Sequence, residues 1–313
     1  MAESLLIVEN VSKYFGGLLA IDKVSFQVST GRITALIGPN GAGKTTLFSI
    51  ISGFLRPDEG RVLYDGADIT AEPPHQRARH GIARTFQIVQ PFAGLTVREN
   101  IAIGSHLWQR SRAAALEAAN QVALSVGLSA QLEAPAATLT VAGSKRLELA
   151  RALAIAPRLL LLDEVLAGLN PSEIRDMVPV VRELTARGMT ILMTEHVMQA
   201  VTALAEHVLV LAEGRIIARG TTQEVAADPL VVEAYLGRGA AKRITAGSTH
   251  ARAAAFAHRS ACRIRRHRDP ARCEFRRAYW RDRHGFRSQR GGEIDDEPDY
   301  FGNRQKLPRL YPF

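Results

Sequence analysis

The sequence predicts an α/β fold with a largely parallel central sheet, an antiparallel β flank, a helical insertion and a disordered basic tail. Three observations predict it. A glycine-rich loop stands between a short apolar, β-branched run and a helical run within residues 33–51. From residue 159 to 236, short apolar runs alternate with helix-length segments, the pattern of parallel strands joined by helices. Near the N-terminus, Val24, Phe26 and Val28 alternate with polar positions, as in a half-buried antiparallel strand.

Taken in order, residues 4–11 and 22–29 read as strands around the loop Tyr14-Phe15-Gly16-Gly17. Residues 33–37 are wholly buried in character, and the helix after the glycine loop has Leu47, Ile50 and Ile51 as its apolar face. Gly53, Pro57 and Gly60 punctuate the chain, and residues 61–64 resume as a strand before the turn signal Asp65-Gly66. Residues 82–87 are another strand candidate. Residues 96–127 turn helical, with strong helix formers at 113–119 and Gly127 as the stop. A second helix covers residues 145–155 and ends before Pro157, so residues 96–155 form the insertion. The four leucines at 159–162 make a strand. Residues 172–187 read as a helix with Ser172 as N-cap and Pro179 placed to kink it or move its start. A strand at 190–194, a helix at 197–205, a strand at 208–211, a hairpin return at 215–218 and two short helices by residue 236 complete a body covering residues 1–237.

Beyond that the texture changes. Residues 238–313 hold 17 Arg and 2 Lys against 8 Asp and Glu, a net charge of +11, whereas residues 1–237 carry −2. The chain's overall charge of +9 is therefore a property of the tail. Apolar residues there follow no sustained period, and such a segment buries too little apolar surface to offset its ordering entropy, so disorder is expected. Its arginines could meet RNA or anionic lipid, but no regular aromatic interleaving supports base stacking, and nucleic acid is not the expected partner. His258, Cys262, His267 and Cys273 match no standard zinc spacing. A frameshifted reading of a GC-rich gene would also produce such an extension.

In the body, 46% hydrophobic and 23% charged residues for the chain as a whole are values of a globular protein. No apolar run approaches the ~20 residues of a spanning helix. The start, Met1-Ala2-Glu3-Ser4, lacks the basic residues and apolar core of a signal peptide. The body contains no cysteine, which suits a reducing compartment. These features imply a cytosolic chain whose membrane role, if any, runs through a partner.

Gly38-Pro39-Asn40-Gly41-Ala42-Gly43-Lys44-Thr45, followed by Thr46, fits the phosphate-binding P-loop pattern in its required strand–loop–helix context. Glycines let the backbone approach phosphate with successive N–H groups turned inward. The helix N-terminus adds partial positive charge, Lys44 a full one, and the Thr45 hydroxyl suits Mg²⁺. The second strong signal is Leu159-Leu160-Leu161-Leu162-Asp163-Glu164, a buried strand ending in two carboxylates. In a parallel sheet ligands sit at the strands' carboxyl ends, so this pair belongs beside the P-loop. Asp163 is placed to hold Mg²⁺ and Glu164 to polarise an attacking water.

With these motifs the chain resembles the ATP-binding cassette (ABC) ATPases, and most closely the ATP-binding subunits of branched-chain amino acid importers. The resemblance runs from about residue 4 to 236. It also rests on Thr85-Phe86-Gln87, similar to the family's Q-loop, on Ala167-Gly168-Leu169-Asn170-Pro171, similar to its D-loop, and on Thr194-Glu195-His196, similar to its switch histidine. The subfamily cues are Phe15-Gly16-Gly17-Leu18, Arg84-Thr85-Phe86-Gln87, the long helical insertion and the Gly168-Leu169-Asn170-Pro171 form of the D-loop.

The resemblance implies that Phe15 stacks on adenine, that Gln87 contacts Mg²⁺ or the water and reports to the membrane subunit, and that His196 bonds the γ-phosphate. It implies ATP and Mg²⁺ as cofactors and an ATPase at the cytoplasmic face of a bacterial inner membrane. Its partners would be a second ABC ATPase subunit, two transmembrane permease subunits and, indirectly, a solute-binding protein. One motif departs. Where the family has Leu-Ser-Gly-Gly-Gln, this chain has Leu139-Thr140-Val141-Ala142-Gly143. Thr140 keeps the hydroxyl, but Ala142 replaces the second glycine and Gly143 the glutamine. Thr140 and Gly143 are expected to face the partner's ATP, and a partner of different sequence with a stronger motif would accommodate the change. Other readings stay open: a soluble ABC ATPase acting on ribosomes or nucleic acid, a nucleotide-gated regulator that hardly hydrolyses, and an ABC exporter ATPase.

Overall fold

The structure, a computed structural model, describes residues 3–87 and 90–236. The expected disorder of residues 238–313, and the histidines and cysteines within them, lie outside the described residues. Strands β1 (Ser4–Phe15) and β2 (Leu18–Ser29) form a long antiparallel hairpin, extended on its other side by β4 (Glu59–Tyr64) and β5 (Ala67–Asp68). The hairpin turn is Gly16-Gly17, tighter than the sequence predicts, with Gly16 in the left-handed region at φ 58°.

The second sheet has six strands: β3 (Ile33–Ile37), β6 (Ile82–Arg84), β7 (Leu159–Asp163), β8 (Thr190–Thr194), β9 (His207–Ala212) and β10 (Arg215–Gly220). Their order is β10-β9-β3-β8-β7-β6, parallel except for the β9–β10 hairpin. The largely parallel sheet and its antiparallel flank are as the sequence predicts.

The apolar runs of β3 and β7 follow from burial on both faces. Leu159 and Leu161 enter one core, shared with Leu36, helix α1 (Lys44–Ile51) and the β1–β2 hairpin. Leu160 and Leu162 enter the other, beneath α6 (Pro171–Ala186) and α7 (Met198–Leu204). That second core continues into the inserted block, formed by α3 (Val97–Ser105), α4 (Arg112–Val126) and α5 (Val141–Leu153). The short α2 (Pro74–Arg79) precedes β6, and α8 (Thr222–Ala227) and α9 (Pro229–Leu236) close the described body.

Several boundaries differ from expectation, and three of them bear on the motifs. The strand predicted over residues 82–87 stops at Arg84: the Thr85 amide still donates to Leu161 O, but the Asp163 amide donates to the Thr85 hydroxyl, which ends the backbone ladder. Helix α5 starts four residues earlier than predicted, since the Thr140 hydroxyl caps it by accepting from Gly143 N at 3.1 Å. In α6 the N-cap is Asn170 rather than Ser172. Its Oδ1 accepts from Ser172 N and Glu173 N, and Glu173 returns a bond to the Asn170 amide. The helix continues through Pro179 to Ala186.

Candidate functional site

The P-loop joins the end of β3 to the start of α1, and its path depends on two glycines. A Cβ on Gly43, whose φ is 102°, would lie 2.6 Å from the Ile21 side chain and 2.8 Å from Ala20 O. A Cβ on Gly38 would lie 2.0 Å from Leu211 O on β9. The loop therefore nests between β2 and β9 as only a glycine backbone can. Lys44 folds back across it, donating to Gly38 O at 2.8 Å and Pro39 O at 3.0 Å. Burial lowers the Lys44 pKa, and the nearby charges of Glu164 and Asp163 oppose that shift. Thr45 is exposed and Thr46 half-buried in the first turn of α1. Together with Asn40, Gly41 and Ala42, these residues form a cradle open to an anion at a helix N-terminus.

The carboxylates stand at the carboxyl end of the neighbouring strands. Asp163 ends β7 opposite Thr194 of β8 and is buried. Its Oδ1 accepts from Thr194 Oγ1 at 2.8 Å and its Oδ2 from Arg84 Nη2 at 2.7 Å. The next residue, Glu164, has φ 49°, a left-handed conformation that costs a non-glycine residue about 1 kcal/mol or more. Its amide is held by Thr194, donating to O at 3.1 Å and to Oγ1 at 3.3 Å. That reversal turns the Glu164 side chain away from the strand direction and into the cleft. There its Oε2 accepts from Gln87 Nε2 at 2.8 Å and lies 3.7 Å from His196 Nδ1.

Gln87, Asp163, Glu164 and His196, predicted from three separate segments, thus meet at the ends of β6, β7 and β8. Phe15 is exposed at the tip of the β1–β2 hairpin, with the Lys13 ammonium 5.8 Å from its ring centre. Ala20 and Ile21 of that hairpin lie against Gly43, so the hairpin that carries Phe15 borders the loop. Thr140 and Gly143 share no hydrogen bond with these side chains among the described residues. Gly143 is buried and its amide is taken by Thr140, so the first-turn amides left by helix geometry are those of Val141 and Ala142.

The donors suit Mg²⁺. The Thr45 hydroxyl, the Asp163 carboxylate and the Gln87 carboxamide are hard oxygens, few enough to leave positions for phosphate and water. A cation is also what the Asp163 carboxylate already meets, in the guanidinium of Arg84.

Two supporting residues, Lys145 and Glu195, are given no role by the motifs, although Glu195 lies inside one of them. Lys145 of α5 is buried and donates to Gln87 O and Glu164 O, both at 3.3 Å. Glu195 is buried, with Oε1 accepting from Leu166 N at 2.8 Å. Lys145 is one of four charged residues on α5, with Arg146, Glu148 and Arg151, so its type alone does not mark it out.

Residues 21–167 match the family described as ABC transporter, and residues 215–241 the family described as branched-chain amino acid ATP-binding cassette transporter. The chain is 39% identical over 245 residues to a probable branched-chain amino acid transport ATP-binding protein, LivG, of Archaeoglobus fulgidus, covering 74% of this chain and 95% of that one. It is 36% identical over 253 residues to the high-affinity branched-chain amino acid transport ATP-binding protein BraF of Pseudomonas aeruginosa, covering 76% and 99%. Among solved structures it resembles a nucleotide-free ATP-binding cassette from an ABC transporter, with TM-score 0.70 and 37% identity over 75% of this chain and all of the other. A cassette in its ADP conformation matches with TM-score 0.69 and 37% identity over the same shares.

Proposed function

The chain belongs to the ABC transporter family as an ATP-binding subunit related to the branched-chain amino acid importer ATPases, and from that premise we propose that it hydrolyses Mg-ATP to drive uptake of branched-chain or related amino acids, or similar small solutes. The observation that carries the hydrolytic part is the convergence of Gln87 and His196 on the Glu164 carboxylate.

In this reading residues 1–237 are the ATP-binding domain. Gly38 to Thr46 hold the phosphates through loop amides and the α1 N-terminus, and Phe15 stacks on adenine. Lys44 leaves its own loop carbonyls for the β- and γ-phosphates. Thr45 and Asp163 hold Mg²⁺ with Gln87 alongside; when bound, the ion neutralises charge developing on the phosphates. Glu164 accepts a hydrogen bond from a water in line with the γ-phosphate, and Gln87 and His196 fix the carboxylate and the water's second contact. Desolvation strengthens each of these contacts, because charge develops where the donors already point.

ATP would lie between two cassettes, each closing over the other's nucleotide with the α5 N-terminus. Thr140 and the Gly143 turn would face the partner's ATP. The weakened motif of this chain fits a partner of different sequence, with two transmembrane permease subunits docked near Gln87 and the helical insertion. No helix among the described residues is long and apolar enough to cross a membrane. The subunit would sit peripherally on the cytoplasmic face of the inner membrane, and a solute-binding protein would act indirectly through the permeases.

Glu164→Gln tests this directly. The variant should bind ATP as the parent does and lose turnover by roughly 10²-fold or more, the scale of removing one group that acts in the transition state. Near-normal phosphate release from the assembled complex would mean that Glu164 does not polarise the attacking water.

A further inference from the structure

Arg84 lies at the end of β6, three residues before Gln87, and no step of the proposed hydrolysis uses it. Its side chain is nonetheless one of the most constrained in the cleft. Nη2 bonds Asp163 Oδ2 at 2.7 Å, with the two side chains only 7% and 5% exposed. Nη1 bonds Ser49 Oγ of α1 at 3.1 Å and Oγ of Ser52, the C-cap of that helix, at 3.2 Å. The guanidinium lies 5.8 Å from the Phe48 ring centre and 5.3 Å from that of Phe86. The one positive charge thus meets a carboxylate, two hydroxyls and two aromatic neighbours.

We infer that Arg84 is a positioning residue that holds Asp163 in place as a stand-in cation and tunes how strongly nucleotide binding depends on the divalent ion. The inference rests on reading Asp163 as the metal carboxylate. Asp163 has two oxygens, and both are engaged: one by Thr194 and one by Arg84. An ion that meets either oxygen shares the carboxylate with the Arg84 guanidinium, and the two positive charges repel, so the guanidinium competes with the metal for Asp163. Without metal, the same guanidinium cancels a buried charge that would otherwise face the phosphates. A buried carboxylate left unpaired is costly, and its field reaches a neighbouring anion with little screening. Arg84 therefore weakens the ion's advantage at both ends. Because it also bonds Ser49 and Ser52, it ties the P-loop helix, the metal carboxylate and the start of the Q-loop into one unit.

The test measures binding of ADP, which is not turned over, to the full chain by calorimetry, once in EDTA and once in saturating Mg²⁺. The ratio of the two dissociation constants is the metal enhancement. Arg84→Gln removes the charge and keeps a planar amide. It should raise the enhancement about tenfold, mainly through weaker binding in EDTA, the size expected when one nearby charge is left uncancelled in a partly shielded site. Arg84→Lys keeps the positive charge on which the inference rests and should hold binding in EDTA within about threefold of the parent. A folded Arg84→Lys chain that loses tenfold or more in EDTA overturns the inference even if the glutamine variant does not fold. Asp163→Asn separates the premises. If it abolishes the enhancement while Arg84→Gln leaves it at the parental value, Arg84 is merely structural and the inference fails. If Asp163→Asn itself leaves the enhancement intact, the reading of Asp163 as metal carboxylate fails first.

Discussion

Glu195 shows how a single side chain can be decided by its surroundings more than by its type. It stands between Thr194, which holds Asp163 and Glu164, and His196, and it is buried where a carboxylate has little solvation. Burial, reinforced by the Glu164 charge, raises its pKa from 4.5 to about 7, against smaller opposing contributions from the Leu166 amide and Lys145. Its second oxygen has no hydrogen-bond partner among the described residues, as suits a carboxyl that keeps its proton. The sign of the linkage follows. The folded chain retains a proton that the unfolded chain has released above about pH 4.5, so this group's contribution is full below that pH. It declines as pH rises and is lost on passing about 7. Glu195→Gln imitates the protonated form at every pH. Its stability relative to the parent should therefore improve between pH 5 and 8 by about 2 kcal/mol, levelling near the top of that range. Urea unfolding at a series of pH values checks it, and parallel profiles for the two chains would show that Glu195 is ionised throughout.

At the scale of elements, α6 separates what periodicity reveals from what needs geometry. Both Asn170 and Ser172 are good N-cap types, so propensity alone does not choose between them. The structure gives the cap to Asn170, whose side chain holds two amides, while the Ser172 hydroxyl only donates to Asn170 Oδ1 at 2.6 Å. Asn170→Ala should cost about 1 kcal/mol in chemical unfolding and Ser172→Ala only a few tenths, and the reverse order would return the cap to Ser172. The same contrast governs the site. Lys44, Asp163 and Glu164 are legible because they sit at fixed offsets from apolar strands and a glycine loop, and backbone rules carry them to the sheet's carboxyl edge. Gln87 and His196 are legible only by resemblance. Arg84 and Glu195 fall inside quoted motifs, but their roles, like that of Lys145, are not legible, since each acts across 19 to 79 residues of chain through bonds that exist only once the strands are in register. The early start of α5 is hidden for a related reason. A glycine and a small polar pair lower helix propensity there, and the Thr140 cap together with packing on the inserted block overrides it.

At the scale of the whole molecule, the altered α5 N-terminus bears on how two cassettes would share work. Ala142 packs against the core of the inserted block, and a side chain on Gly143 would begin 3.3 Å from Leu139. The departure from the family motif is thus built into local packing, and restoring a glutamine at 143 would require Leu139 to move. In the pairing proposed above, the face turned to a partner's nucleotide would therefore differ from the usual one, while this chain's own P-loop, Asp163, Glu164 and His196 keep the family pattern. That pairing would make two composite sites of unequal strength. The one on this P-loop, closed by the partner's motif, should carry most of the turnover. In the assembled complex, Glu164→Gln in this chain should lower steady-state phosphate release by roughly the same 10²-fold or more, and replacing the matching carboxylate of the partner should lower it less than about threefold. The comparison is internal to one complex, so differences in expression or assembly are controlled by measuring both variants at equal complex concentration. Equal losses from the two replacements would mean that the sites fire in obligatory coupling, and that Thr140, Val141 and Ala142 close over phosphate as effectively as the motif they replace.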